Sequence, residues 1–154
     1  MPNRLIIPLL VAASVAFARG SSGHKEPTTA ITTATRSQQQ KGAPVASSFS
    51  VDVTDQPRFE LSVANNTKKM IELRFPNGQT HEFVVIDAGG NEVWRWSDGR
   101  MFTQSLQNKL VKARETAVYA TSWDADRMHG RFTAIATLKS DNHPIEQRVE
   151  FALK

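Results

Sequence analysis

Apolar side chains fall on every second position over most of the chain beyond residue 57. Phe59, Leu61 and Val63 alternate with Glu60 and Ser62 in "RFELSVANN", and Ile71, Leu73 and Phe75 share a face in "KKMIELRF". The same period of two runs through "THEFVVID", "EVWRW", "TAVYATSW", "RFTAIATL" and "IEQRVEFAL". Successive side chains of a strand point to opposite faces, so this period predicts half-buried β-strands. Turn-forming clusters separate the runs. Pro76-Asn77-Gly78 contains Asn-Gly, which accepts positive φ at low cost, and Ala88-Gly89-Gly90-Asn91 is a second such cluster. No stretch holds a period of 3.6. "TQSLQNKLVKA" comes nearest and reads either as a bulged strand or as a short helical turn. About eight strands at spacings of roughly 8–12 residues predict an all-β, antiparallel sandwich.

The N-terminal residues follow a different pattern. Leu5 to Phe17 is an unbroken apolar run preceded by Arg4, and Ala16-Phe17-Ala18 places small residues where a signal peptidase reads them. A membrane span needs about 20 apolar residues, and Arg19 ends this run too early. Residues 1–18 are therefore expected to be a signal peptide cleaved after Ala18, leaving no stable membrane span and sending a bacterial protein to the periplasm or the medium. Residues 19–47 are mostly Ser, Thr, Gln, Ala and Gly, too poor in large apolar side chains to offset the entropy of ordering, and are expected to be a flexible linker. The folded domain is expected over 48–154.

Charge changes one part of this picture. The chain has 19 Lys+Arg and 15 Asp+Glu, a formal net charge of +4. Arg4, Arg19, Lys25, Arg36 and Lys41 all precede residue 48 and face only Glu26 there, so the remaining 14 basic and 14 acidic residues cancel over the domain. A domain that tracks phosphates carries a basic surface, so nucleic acid is not an expected partner. There is no cysteine, which removes both disulfides and a lipoprotein anchor. The core alone must hold the fold.

Catalytic patterns are missing as well. The chain has no Gly-x-Ser-x-Gly and no His-Glu-x-x-His. His81 and Glu82 are adjacent on a predicted strand and face opposite sides, so they do not share a metal. Asp124-x-Asp126 lacks the later ligands and central glycine of a calcium loop. The domain's other histidines, His129 and His143, stand in no recognisable constellation. No catalytic residue, metal site or cofactor is expected. Asn65-Asn66-Thr67 matches the N-glycosylation acceptor pattern.

The most distinctive stretch is Val93-Trp94-Arg95-Trp96-Ser97, followed by Met101-Phe102-Thr103-Gln104. Together with "F-x-L-x-V-x-N-x-T" from Phe59, "E-T-x-x-Y" from Glu115, "S-W-D" from Ser122 and "G-R-F-T-A-I-A" from Gly130, it resembles the BsuPI family, named for an intracellular proteinase inhibitor. The resemblance covers about residues 57–139. It implies an immunoglobulin-like β-sandwich and a protease as partner. Where the family usually has Pro-Gly-Glu before the "x-x-Y" strand, this chain has Ala113-Arg114-Glu115.

Trp94 and Trp96 are two apart on a predicted strand, hence on one face and about 6.6 Å from each other, with Val93 and Arg95 on the other face. Burying one tryptophan removes roughly 150–250 Å² from water, about 4–6 kcal/mol as an upper value. Net stabilities are only about 5–15 kcal/mol, so a cysteine-free domain is not expected to forgo both rings. Trp94, Trp96, Trp123 and Phe102 are expected in the core. Arg95 is expected to pair with a cross-strand carboxylate. Two loops are candidates for contact with a serine protease: Asp126-Arg127-Met128, and the turn Ser97-Asp98-Gly99-Arg100 in which Gly99 takes the left-handed position. An arginine in either loop suits the acidic pocket of a trypsin-like enzyme. The alternative is an exported interaction module without inhibitory activity, since sandwiches serve many binding functions.

Overall fold

Alternation in the sequence becomes alternation in burial. The computed structural model describes residues 43–154 and the backbone of Thr33–Ala34. It divides into Met1–Ala30 and Ile31–Lys154. The expected signal peptide and most of the expected linker lie outside the described residues.

Ten strands lie among the described residues: β1 Thr33–Ala34, β2 Val45–Asp52, β3 Arg58–Asn65, β4 Ile71–Phe75, β5 His81–Asp87, β6 Glu92–Arg95, β7 Gln107–Val111, β8 Thr116–Ser122, β9 Gly130–Leu138 and β10 Ile145–Leu153. All pairings are antiparallel, in the orders β1-β2-β3-β8, β10-β9-β5-β6 and β4-β7. No helix occurs among the described residues, and none is long and apolar enough to cross a membrane. The two four-stranded sheets form the sandwich. Phe49 and Phe59 of one sheet meet Phe83 of the other at 5.9 and 6.1 Å between ring centroids, and Phe59 meets Phe151 edge-on at 6.0 Å. Leu73, Phe75 and Val111 of the β4-β7 ladder complete the same core.

The domain starts earlier than composition suggests. β2 begins at Val45, three residues before the expected boundary, with Val45 opposite Asn65 and Ala46 buried. Thr33 and Ala34 pair with Asp52 and Val51. Backbone pairing orders these Ser- and Ala-rich residues, and backbone hydrogen bonds leave no trace in composition. "TQSLQNKLVKA" resolves as a strand, β7, in which only Val111 is buried.

Two turns depart from expectation in an informative way. Gly78 does not adopt positive φ. It is small because Thr103 lies against it: a Cβ there would meet Thr103 Oγ1 at 2.6 Å and Thr103 N at 3.1 Å. Arg114 does adopt positive φ (64°) in the turn closed by Glu115 N–H to Lys112 O at 3.1 Å. This is the position where the resembled family has glycine, and a side chain there costs about 1–2 kcal/mol.

Candidate functional site

The strand that carries the tryptophans is bulged. Val85 pairs with Trp94 and Ile86 with Glu92, so Val93 is the extra residue. The bulge has two consequences. Val93 packs against the core rather than joining Arg95 on the outer face. Glu92 and Arg95, three apart, now share that outer face. Arg95 Nε donates to Glu92 Oε1 at 2.8 Å, and Arg95 Nη1 lies 3.4 Å from Glu82 Oε2 across the ladder. Glu92, and then Glu82, hold the Arg95 guanidinium above its usual pKa. Glu82 is buried and its carboxylate also accepts from Ser97 N–H at 3.1 Å, from the Ser97 hydroxyl and from Gln79 Nε2 at 2.8 Å. A buried carboxylate with this many donors ties the end of β6 to β5. Arg95 and Ser97 are therefore committed within the fold.

On the inner face, Trp94 and Trp96 have different neighbours. Trp94 stacks on Phe59 at 5.5 Å and on Trp123 at 6.0 Å, and Trp123 is 5% exposed. Trp96, half-buried, lies on His81 at 4.2 Å, and His81 in turn lies 4.8 Å from Tyr119. Trp96 N–H donates to Phe83 O at 2.9 Å, so it extends the ladder one residue past β6. Burial pushes the His81 imidazole from 6.5 down to about 4; Glu82 opposes the shift and Arg100 adds to it. Burial also raises the Tyr119 phenol, whose hydroxyl finds no partner.

The outer side of Trp96 carries the loop 96–106. Arg100 lies over the indole with its guanidinium carbon 4.6 Å from the ring centroid, and its Nε donates to Trp96 O at 2.8 Å. Phe102, half-buried, packs on the same ring at 5.6 Å. Ser97 to Gly99 make the turn, with Arg100 N–H to Ser97 O at 3.0 Å and Gly99 at φ 72°. Gly78 N–H donates to Thr103 O at 2.8 Å. Each of these exposed ties contributes a few tenths of a kcal/mol to about 1 kcal/mol, and together they hold the loop against Trp96. From Arg100 to Thr103 the backbone forms neither turn nor ladder. Met101 and Leu106 in this loop are 99% and 79% exposed.

The loop Asp124–His129 is built differently. Ala125 and Met128 pack against the core, and Met128 N–H donates to Ala125 O at 2.9 Å. Asp126 and Arg127 form a loose pair at 3.9 Å, and the Arg127 side chain is 92% exposed. Arg127 stands at φ 65°, inside a turn. A left-handed residue interrupts an extended run, so the backbone at Arg127 is not strand-like. Of the expected contact residues, then, Arg127 is displayed on a turn, Met128 faces inward, and Arg100 is engaged by Trp96. Met101 belongs to the distinctive stretch of the sequence but not to the two expected contact loops. Its exposure follows from the placement of its neighbours, which no local pattern encodes.

Asn65 is occupied structurally. It is buried, its Nδ2 donates to Lys69 O, Val111 O and Lys112 O at 2.8–3.1 Å, and its Oδ1 accepts from Thr67 N–H and the Thr67 hydroxyl. The acceptor pattern there serves as a corner of the fold. Among the described residues, no group of three or more metal-ligating side chains converges.

A family model described as BsuPI, intracellular proteinase inhibitor, matches residues 45–143. Its first matched residue is the first residue of β2. No curated protein matches. Among solved structures, a β-glucosidase from Erythrobacter marinus is 14% identical over 70% of this chain and 16% of its own length, with a TM-score of 0.36. The chain spans only that small part of the enzyme, and so loose an overlay carries no argument about this chain.

Proposed function

The chain belongs to the BsuPI family of intracellular proteinase inhibitors, and from that premise we propose that it blocks a serine protease outside the cytoplasm through the loop 96–106. Proteinase inhibition is the family's general function. The serine protease, the loop and the location are this proposal's additions.

The observation that carries the loop is its pre-organisation. Trp96 rests on His81, which rests in turn on Tyr119, and Arg100 and Phe102 rest on Trp96. A loop already ordered loses little freedom on binding, and this separates a tight inhibitor from a substrate that is cut and released. The location rests on the sequence alone, through Arg4, the apolar run Leu5–Phe17 and Ala16-Phe17-Ala18.

The test is titration of the full chain against a panel of serine proteases, with N-terminal sequencing of the exported product. Stoichiometric inhibition, and its loss when residues 98–104 are replaced by a Gly/Ser segment of equal length, supports the proposal. A folded protein inert against the whole panel at micromolar concentration leaves the alternative, a non-inhibitory interaction module. Recovery of intact Met1 in a cytoplasmic pool removes the proposed location.

A further inference from the structure

Resting on the inhibitor reading above, we infer that Met101 is the side chain the loop delivers to its protease, and that the matching enzyme has a deep apolar specificity pocket rather than an acidic one. Met101 is 99% exposed, beyond even Leu106 at 79%. Its neighbours on both sides are turned back. Arg100 lies over Trp96 and donates to its carbonyl at 2.8 Å, and Phe102 packs on the same indole at 5.6 Å. Two residues further, Thr103 is held against Gly78, where no Cβ fits. The backbone is tied before and after Met101, and its side chain is the most exposed of the large apolar side chains.

The charge that an acidic pocket requires is already in use. To reach such a pocket Arg100 would have to leave both the Trp96 ring and the Trp96 carbonyl. Met101 needs no such release. It is unbranched and polarisable, and it adapts to an irregular apolar pocket. Its thioether also supplies a probe. Hydrogen peroxide transfers one oxygen atom to the sulfur, giving a sulfoxide and water. The sulfoxide oxygen has no partner in an apolar pocket, so oxidation should weaken the complex.

The experiment measures inhibition constants of the full chain against chymotrypsin and a subtilisin, which have apolar pockets, and against trypsin, which has an acidic one. The native chain should inhibit the first two and spare trypsin. M101D should weaken inhibition of the apolar-pocket enzymes by about 100-fold or more. M101K should lose that inhibition and gain at least about 10-fold against trypsin. M101L should stay within about 3-fold of the native chain. Peroxide should weaken the native chain by at least about 10-fold and leave M101L unchanged. All variants should melt within about 2 °C of the native chain, because the replaced side chain makes no core contact. Inhibition that M101D leaves intact, a native preference for trypsin, or equal peroxide sensitivity in M101L would overturn the Met101 assignment while the inhibitor reading stands. Failure of the folded native chain against all three enzymes overturns the inhibitor reading and this inference together.

Discussion

Trp94 and Trp96 sit two residues apart on one face of one chain segment, yet they belong to different parts of the molecule. Trp94 is half-buried like Trp96, but its ring stacks on residues remote in sequence, Phe59 and Trp123, along the β6–β8 side. Trp96 has the core on one side only, through His81, and spends its other side on Arg100 and Phe102 of its own loop. One ring is packing and the other is a platform. The difference arises because β6 ends between them. Trp94 is inside the strand, and Trp96 makes one last ladder bond and then the chain turns at Ser97. A repeated residue type on one face therefore does not imply a repeated role; the end of the strand decides.

The sharpest way to break this comparison is to remove each ring. Trp94→Ala should lower unfolding free energy by about 3 kcal/mol, the low end of the range for deleting a buried aromatic side chain, because the ring is half-buried. Denaturant unfolding checks it, and a loss below about 1 kcal/mol would place Trp94 outside the core. Trp96→Ala should lose less, roughly 1–3 kcal/mol, because half of its surroundings is loop rather than core. Its distinctive effect is local: trypsin should cut after Arg100 in the variant at conditions that leave the native loop whole. Equal losses for the two variants would erase the distinction.

Acid sharpens the comparison from beneath the platform. The folded-state pKa of His81, about 4, lies below its ordinary value of 6.5 because the half-buried ring is desolvated between aromatic side chains. The folded state resists the proton, so the His81 contribution to stability is full above pH 6.5. It is lost as pH falls from 6.5 toward 4 and changes no further below that. The carboxylates add their own losses at low pH, so the comparison is with His81→Phe, which should show a weaker decline over the same window. An NMR titration of His81 with a midpoint near 6.5 would contradict the buried platform. The smallest effect is expected at the loop itself. Arg100→Ala removes one exposed cation–π contact and one hydrogen bond, about 0.5–1 kcal/mol, and should increase amide exchange over residues 98–103 with little change in melting temperature.

The sequence makes the sandwich legible where burial alternates fully, as at Phe59, Leu61 and Val63 in β3 and at Phe132, Ala134, Ala136 and Leu138 in β9. It is silent where side chains do not report burial. β7 buries one residue of five, so its pattern fits a strand or a helical turn equally well. β2 opens on residues ordered by backbone pairing rather than by apolar surface. The bulge at Val93 moves Glu92 to the face it shares with Arg95, and nothing in Glu92-Val93-Trp94 signals that. The site was legible in part. Trp123 is buried and Gly99 takes the left-handed position of its turn, whereas Trp94, Trp96 and Phe102, also expected in the core, are only half-buried. The platform is not legible, because His81 reaches Trp96 across the β5–β6 pair and is backed by Tyr119 of β8, which is remote in sequence and in the other sheet. The orientation of Met101 is fixed only once those contacts exist.

Hydrogen exchange of the full chain, alone and saturated with an inhibited protease, addresses the central claim that the loop on Trp96 is the contact surface. Protection on binding should concentrate on residues 99–104 and leave 124–129 exchanging as in the free protein. Protection confined to 124–129, or spread over the sheet faces with none at 99–104, would contradict it.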